Sequence, residues 1–376
     1  MADAVTETPQ PEAVARPVDV GAVERELMRL WASSGPDLIA DDPVTRACMS
    51  NLIVYCKDEK EASPLPEEIA SIVQRHPARV LLLVGSAGRQ PSDLEAWVSA
   101  VCFTAGGGRQ ICSEHVTISA QAGARRRLPS TTRSLLIGDL PTALWWASLD
   151  PPPAGDDLFS ELACMASHVI YDSEGWEDPV RGVITVADWA GGERAGTIVS
   201  DLAWRRLKPW RRLVGQALDP ALEPGALDAI DEVVIEHGPH ALPKAWLMIG
   251  WLACRLGWRL LGGRVAPGVE VTWGFQSKHG GVRVTVRRHS EGDPVLRRMS
   301  IGWSGSAGRA GAIFSLQSAG WIAVERQGSE APQRVLARGN LPRAALVARQ
   351  LPKLFRDPLF RDTLEVSRSM AEALLR

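Results

Sequence analysis

The sequence predicts a mixed α/β fold: an N-terminal α/β sandwich-type domain followed by a C-terminal α+β domain with an antiparallel sheet. Three features point there. Short apolar runs at 51–56 (NLIVYC) and 79–84 (RVLLLV) flank an amphipathic helical stretch at 66–76, and strand–helix–strand order marks an α/β layer. Beyond residue 268 the style changes to strand after strand, at 269–276, 282–289, 296–304, 312–316 and 321–326, with Gly280-Gly281 as a hairpin signal. Between the two styles lies the break DPALEPG at 219–225. The expected division is a disordered tail at 1–20, an N-terminal domain at 21–225 and a C-terminal domain at 226–376.

Each element has a local reason. Residues 1–20 are rich in Ala, Pro, Thr and Glu and cannot bury a core. Val23, Leu27, Leu30 and Trp31 recur at helical spacing. Pro66 suits a first helical turn, and Glu67 and Glu68 suit its positive end. Runs at 94–104 and 109–119 flank the glycine-rich turn 105–108 and read as a hairpin. A short helix at 130–136, a strand at 140–147 (LPTALWWA), a helix at 156–165, a strand at 168–171 and a helix at 178–189 come next, with Gly191-Gly192 as a loop. The segment 201–218 is helical in character but holds Pro209, which lacks an N–H and clashes with the preceding turn. It therefore splits into a short helix and a longer one starting at Pro209, with Leu207, Trp210, Val214 and Ala217 on one face. A mostly buried helix at 242–261 and terminal helices at 342–354 and 362–375 complete the pattern, and no internal repeat is evident.

Composition removes several function classes. The chain has 376 residues, 45% of them hydrophobic and 23% charged, so a large core is available. A net charge of −2 gives no global drive toward nucleic acid or an anionic membrane. Six Cys with no CxxC and no Cys/His spacing exclude a disulfide scaffold and a zinc site. The most apolar helical run is about ten residues against the roughly 20 a membrane span needs, and the N-terminus lacks the apolar run of a signal peptide. The expectation is a cytoplasmic, soluble protein with mostly reduced thiols, and with no cofactor and no metal.

The candidate motifs are few. GSAGR at 85–89 comes after a strand but has two glycines and an interrupting Pro91, short of the dinucleotide fingerprint. GGGR at 106–109 fits no phosphate loop, and both read as turns. There is no GxSxG and no HExxH. Asp139, Asp172, Asp178 and Asp201 fall at element ends, where they read as caps. Cys102 and Cys112 flank the hairpin turn. A loop centred on Gly107 with an odd residue count places them opposite each other, close enough to bond, and an even loop makes them diagonal; buried free thiols are the default. Trp204, Arg205, Arg206, Trp210 and Arg211 form the most unusual stretch, of residue types enriched at interface hot spots. Trp145 and Trp146, adjacent on a strand, point to opposite faces.

Four separated segments carry a family resemblance: ICSEH at 111–115, LLIGDLPTALWWASLDPP at 135–152, HVIYDSEGW at 168–176 and DLAWRRLKPWRRLVGQALDP at 201–220. In order and spacing they resemble the OpcA family, the glucose-6-phosphate dehydrogenase assembly proteins, over roughly residues 40–220; no sharp motif extends into the C-terminal part. Two positions depart from the family pattern. His115 stands where Gln is usual, and Lys208 stands where a small hydroxyl residue would cap the next helix, a loss of about 1 kcal/mol if unreplaced.

The resemblance implies a non-enzymatic assembly factor and activator of the dehydrogenase oligomer, serving the oxidative pentose phosphate pathway and NADPH supply. It also implies thiol redox control, with thioredoxin as a candidate second partner, but does not settle which cysteines carry it; Cys102 and Cys112 are the candidate pair from their place at the hairpin. The expected contacts with the dehydrogenase are Trp204, Arg205, Arg206, Trp210 and Arg211, then Trp145 and Trp146. Two rivals stand beside this reading. One is a sugar-phosphate enzyme with Arg205 or Arg211 on the phosphate and Asp172 as base. The other is a redox-switch adaptor.

Overall fold

A computed structural model describes residues 16–33, 44–86, 94–104, 110–121, 123–153, 157–192, 196–265, 270–305, 308–318, 320–327, 334–337 and 341–375. The first sheet contains β1 (Arg16–Val18), β2 (Val44–Arg46), β3 (Ser50–Cys56), β4 (Ala78–Ser86), β5 (Glu95–Thr104), β6 (Gln110–Gln121), β7 (Thr142–Trp146), β8 (His168–Tyr171) and β9 (Ile198–Asp201). Its helices are α1 (Val23–Ser33), α2 (Glu59–Ala62), α3 (Leu65–Arg75), α4 (Leu128–Leu135), α5 (Asp157–Ala163), α6 (Pro179–Gly191), α7 (Leu202–Arg206) and α8 (Lys208–Ala217). The second half adds β10 (Ile230–His237), α9 (Leu242–Leu256), β11 (Arg259–Val265), β12 (Glu270–Gln276), β13 (Gly281–Arg288), β14 (Leu296–Gly305), β15 (Gly308–Leu316), β16 (Trp321–Gln327), β17 (Arg334–Ala337), α10 (Arg343–Ala348) and α11 (Pro358–Glu372).

In the first sheet the strand order is β1-β5-β6-β4-β3-β7-β8-β9, with β2 also paired to β6. From β6 to β9 all neighbours are parallel, while β5 and β1 close one edge antiparallel. Strands β3 and β4 are apolar on both faces because both faces are covered. Leu52, Val54, Val80 and Leu82 pack under Leu65, Ile69 and Ile72 of α3. Ile53, Tyr55, Leu81 and Leu83 face the other core, which continues into the C-terminal half.

The second sheet runs β11-β12-β13-β10-β14-β15-β16-β17. The antiparallel expectation needs one correction. β10, absent from the expected strands, inserts between β13 and β14 and pairs parallel with β13, making the sheet mixed. The helix expected over 242–261 ends at Leu256, where Gly257 takes the left-handed conformation at φ +66° that terminates it. The chain then enters β11 at Arg259. Helix α11 lies close on α9, because Gly250 leaves no Cβ to meet the Thr363 carbonyl, which would be 2.7 Å away.

Two more expectations change. Arg16–Val18, inside the stretch read as a tail, pairs with β5 at Ala96–Val98. Helix α10, counted with the C-terminal part in sequence, packs against α3 of the first sheet: Ala344, Leu346 and Val347 belong to the same core cluster as Ile69 and Val73. Arg343 joins this contact through a two-point ion pair to Glu68, both at 2.9 Å, and lies over the Trp145 ring. The turns at 105–109 and 87–90 lie outside the described residues. No helix among the described residues is long and apolar enough to cross a membrane.

Candidate functional site

Counted in chain order, the six parallel strands lie as third, second, first, fourth, fifth, sixth: β6-β4-β3-β7-β8-β9. In open α/β sheets of this order, ligands sit beyond the C-terminal strand ends where the order reverses, and dinucleotides are the usual occupant. Here that point lies between β3 and β7, and the chain's own side chains fill it.

Leaving β3 the chain reads Cys56-Lys57-Asp58-Glu59, with no glycine to let a pyrophosphate approach the backbone. Asp58 caps α2, its carboxylate accepting the Glu61 N–H at 2.9 Å. Glu61 turns back and accepts the N–H of Lys57 at 2.8 Å and of Leu149, in the loop after β7, at 3.0 Å. It also accepts the Ser148 hydroxyl at 3.4 Å. A carboxylate thus holds the donors a phosphate would need and ties the two crevice loops together. Lys57 Nζ spans the same gap to Asp150 at 3.0 Å. Hydrogen bonding to Asp150 pushes the Lys57 amine above its ordinary value. Both partners are about half exposed, so this latch is worth little energy by itself. Gly85, at the end of β4, sits against the same loop: a Cβ there would lie 2.5 Å from the Lys57 carbonyl oxygen. A dinucleotide does not fit this crevice, because its pyrophosphate would meet Asp58, Glu59 and Glu61 where the fold offers bare N–H groups to other ligands.

At the ends of β8 and β9 lies a second polar cluster. Asp172 accepts both guanidinium nitrogens of Arg206, at 2.6 and 2.8 Å. Burial pushes the Asp172 carboxyl up, but the Arg206 charge outweighs it and holds the group below its ordinary value. That makes it a poor base, against the enzyme rival. Asp201 caps α7 through the Ala203 N–H at 2.8 Å and accepts the Ser173 hydroxyl at 2.6 Å. Burial, with the nearby Asp172 charge, raises its carboxyl to about 7. Lys244 of α9 pairs with Glu174 and donates to the Pro294 carbonyl at 2.7 Å, so the cluster joins the two halves of the chain. Burial lowers the Lys244 amine despite Glu174. Asp178 caps α6 through the Arg181 N–H, as expected of a carboxylate at an element start.

The expected contact residues go elsewhere. Trp145 and Trp146 do point to opposite faces, but both are core: they belong to different buried clusters, and Trp146 stacks on Tyr55 with centroids 4.3 Å apart. Trp204 and Trp210 are equally buried. The Trp204 indole donates to Asp357 at 3.0 Å, and Arg211 lies 3.4 Å over its ring and donates to the Trp204 carbonyl. Burial lowers the Arg211 guanidinium to about 9. Arg205 pairs with Asp357 at 3.1 Å, and Arg206 serves Asp172. The contact assignment is therefore corrected for the four indoles, which are committed to the core, while Arg205, Arg206 and Arg211 are partly exposed and bonded within the chain. The helix break falls at Leu207, and α8 starts with no side-chain cap, in keeping with Lys208 at its first position.

Cys102 and Cys112 are directly opposite in the β5–β6 ladder, with Cα atoms 4.0 Å apart, and form a disulfide. The default of free thiols is corrected at this pair; Cys48, Cys56, Cys164 and Cys254 are in no disulfide. Cys112 belongs to the ICSEH stretch, whose Glu114 is fully buried and bonded to Arg79 at 2.6 Å, Arg46 at 2.7 Å and the Trp31 indole at 2.8 Å. That motif is a structural hub of β6. Residues missed by sequence reasoning are Lys57, Glu61 and Asp150 in the crevice, Lys244, and the exposed pair Leu354 and Phe355. A strand ending in charged residues in place of glycines was the signal available for the first of these.

With this geometry in place, similarity to known proteins is informative. The domain described as glucose-6-phosphate dehydrogenase subunit N-terminal domain matches residues 69–188, and the corresponding C-terminal domain matches residues 197–364. The chain belongs to the OpcA family. A protein of Nostoc punctiforme, named as a candidate OxPP cycle protein OpcA, is 28% identical over 318 residues, covering 80% of this chain and 67% of its own length. A Synechocystis protein of the same name is 26% identical over 323 residues, covering 81% of this chain and 65% of its own. This OpcA-family chain thus spans about two thirds of the length of these relatives. Among solved structures, the transcriptional regulator Gal80p from Kluyveromyces lactis superposes with a TM-score of 0.48 at 8% identity, covering 88% of this chain and 89% of that one. An oxidoreductase from Sinorhizobium meliloti gives 0.45 at 13% identity, covering 85% and 88%. At these values the likeness bears on neither ligand nor activity.

Proposed function

We propose that this chain is a non-enzymatic partner of glucose-6-phosphate dehydrogenase, promoting its assembly and raising its activity within the oxidative pentose phosphate pathway. The partner half of this reading rests on the family, whose domains are described as subunits of that enzyme. The non-enzymatic half is carried by one observation: Glu61 occupies the donors of the switch-point crevice and links its two walls. The neighbouring carboxylate, Asp172, is committed to Arg206. What remains for such a chain is to bind one state of an enzyme better than another. A tenfold preference for the active oligomer supplies about 1.4 kcal/mol of shift. Equilibrium dialysis against NADP⁺ tests the non-enzymatic half: no retention is expected, and stoichiometric retention would overturn it. Initial rates of the dehydrogenase titrated with this chain test the other half; a rise that saturates is expected, and a flat line would contradict it.

A specific observation also favours redox tuning of this role. The Cys102–Cys112 disulfide bridges β5 and β6 beyond the reach of β1, with Cys102 half-buried and Cys112 buried. A dithiol reductant such as thioredoxin would take up the disulfide in exchange: two electrons and two protons convert the bond to two thiols while the reductant's own thiols become a disulfide. Activation measured with the chain oxidised and then reduced should differ; identical titrations would remove redox from the reading.

A further inference from the structure

The connector between α10 and α11 carries two adjacent, strongly exposed apolar side chains, Leu354 at 69% and Phe355 at 85%. They are not on a loose segment. On one side Lys353 is tied to the buried Gln350, its N–H to the Gln350 carbonyl at 2.9 Å and its amine to Gln350 Oε1 at 2.8 Å. On the other side Asp357 is held by three groups: the Trp204 indole at 3.0 Å, Arg205 at 3.1 Å and the Phe360 N–H at 3.1 Å. Between these posts an aromatic ring is presented to water from a fixed frame, which lowers the ordering cost of using it as an anchor.

The surroundings of that ring are cationic. Lys353 feels Arg205 and Lys208 of the α7–α8 corner, and burial together with those charges lowers its amine to about 8. Arg356 comes directly after Phe355. Asp357 is the one carboxylate in this group and is already shared by Trp204 and Arg205. Lys208 and Arg356 have no carboxylate at ion-pair distance among the described residues. Among the described residues these cations outnumber their one counter-charge, and the self-repulsion that remains is what a negatively charged partner relieves.

We propose that Leu354 and Phe355, framed by Lys208, Lys353 and Arg356, form the docking knuckle for an acidic protein surface that offers an apolar recess, and that this surface belongs to the dehydrogenase. The inference rests on the functional reading above and gives it a place and a chemistry. It also relocates the contact: the Arg/Trp stretch anchors the knuckle from beneath through Trp204 and Arg205, while the groups that touch the partner come from the connector and from Lys208.

The test uses the full chain and the intact dehydrogenase. Binding is measured by calorimetry at low and moderate salt for the wild type, for Phe355→Ser and for a double variant Lys208→Glu with Arg356→Glu. These side chains are exposed, so melting temperatures should stay at the wild-type value. Phe355→Ser should weaken binding at least tenfold. The charge reversal should weaken it by a similar factor and flatten its salt dependence. Wild-type affinity in both variants, with the complex still forming, overturns the knuckle and leaves the functional reading standing. A wild type that does not bind the dehydrogenase overturns both. A chain that self-associates through Phe355, with dehydrogenase binding unaltered in the variants, assigns the face to a second copy and overturns the proposal.

Discussion

Asp172 and Asp201 show how two carboxylates of one cluster are driven in opposite directions. Asp172 is paired with Arg206 inside the protein, so removing its charge leaves that guanidinium with Glu174, at 3.5 Å, as its one remaining carboxylate among the described residues. Asp172→Asn should cost about 3–5 kcal/mol, read by urea unfolding; a loss below about 1 kcal/mol would mean that water enters the cluster. Asp201 has its carboxyl raised from an ordinary 3.8 to about 7, so between those values the folded state holds a proton that the unfolded state has lost. Stability from this group is full at the acid end of that window and falls as pH rises toward about 7. Asp201→Asn keeps a capping oxygen and mimics the protonated acid. Its stability curve should therefore be flatter than that of the wild type between pH 4 and 7. Parallel curves would place the Asp201 proton elsewhere.

At the scale of elements, the hairpin β5–β6 and the crevice loops give separate predictions. Closing a hairpin of this span with a disulfide stabilises by about 2–3 kcal/mol in the chain-entropy picture. The Cys102→Ser, Cys112→Ser double variant should lose up to that amount, and an unchanged melting temperature would show that the ladder alone holds the hairpin. Gly85→Ala would drive a Cβ into the Lys57 carbonyl and should cost about 1–3 kcal/mol by overpacking, with the amides of Lys57 and Leu149 exchanging faster in hydrogen-exchange measurements. Much of this level was legible in the sequence. Periodicity located β3, α3, β4 and β8, and the proline rule placed the break between α7 and α8. β10 and β11 were not legible, because β10 alternates acids with apolar residues beside a loop-rich stretch, and β11 carries two glycines at the end of a strongly apolar helix. The indoles of the Trp/Arg stretch were misplaced for a physical reason. Residue type shows what a side chain can do at a surface, while burial, which decides whether it is at one, depends on α11 arriving from about 150 residues away.

For the whole molecule, α10 and α11 decide how the two halves behave. α10 completes the layer over the first sheet beside α3, and α11 packs on α9 and reaches α7 through Asp357. Val347→Ala should cost about 1–3 kcal/mol by removing buried methyl groups, and the loss should appear in the unfolding of the first sheet as well as in the C-terminal half. Two separated transitions with only the second shifted would show that the halves fold independently. The same linkage places the exposed connector beside α7, so a partner gripping Phe355 pulls on both halves at once. The most direct test of an assembly role is the mass, by size-exclusion chromatography with light scattering, of the dehydrogenase mixed with this chain, with activity measured in the same fractions. A co-eluting complex of defined mass is expected, with the enzyme in its larger, more active oligomer. Separate elution with the enzyme's mass and rate unchanged, in oxidising and in reducing buffer, would contradict that role.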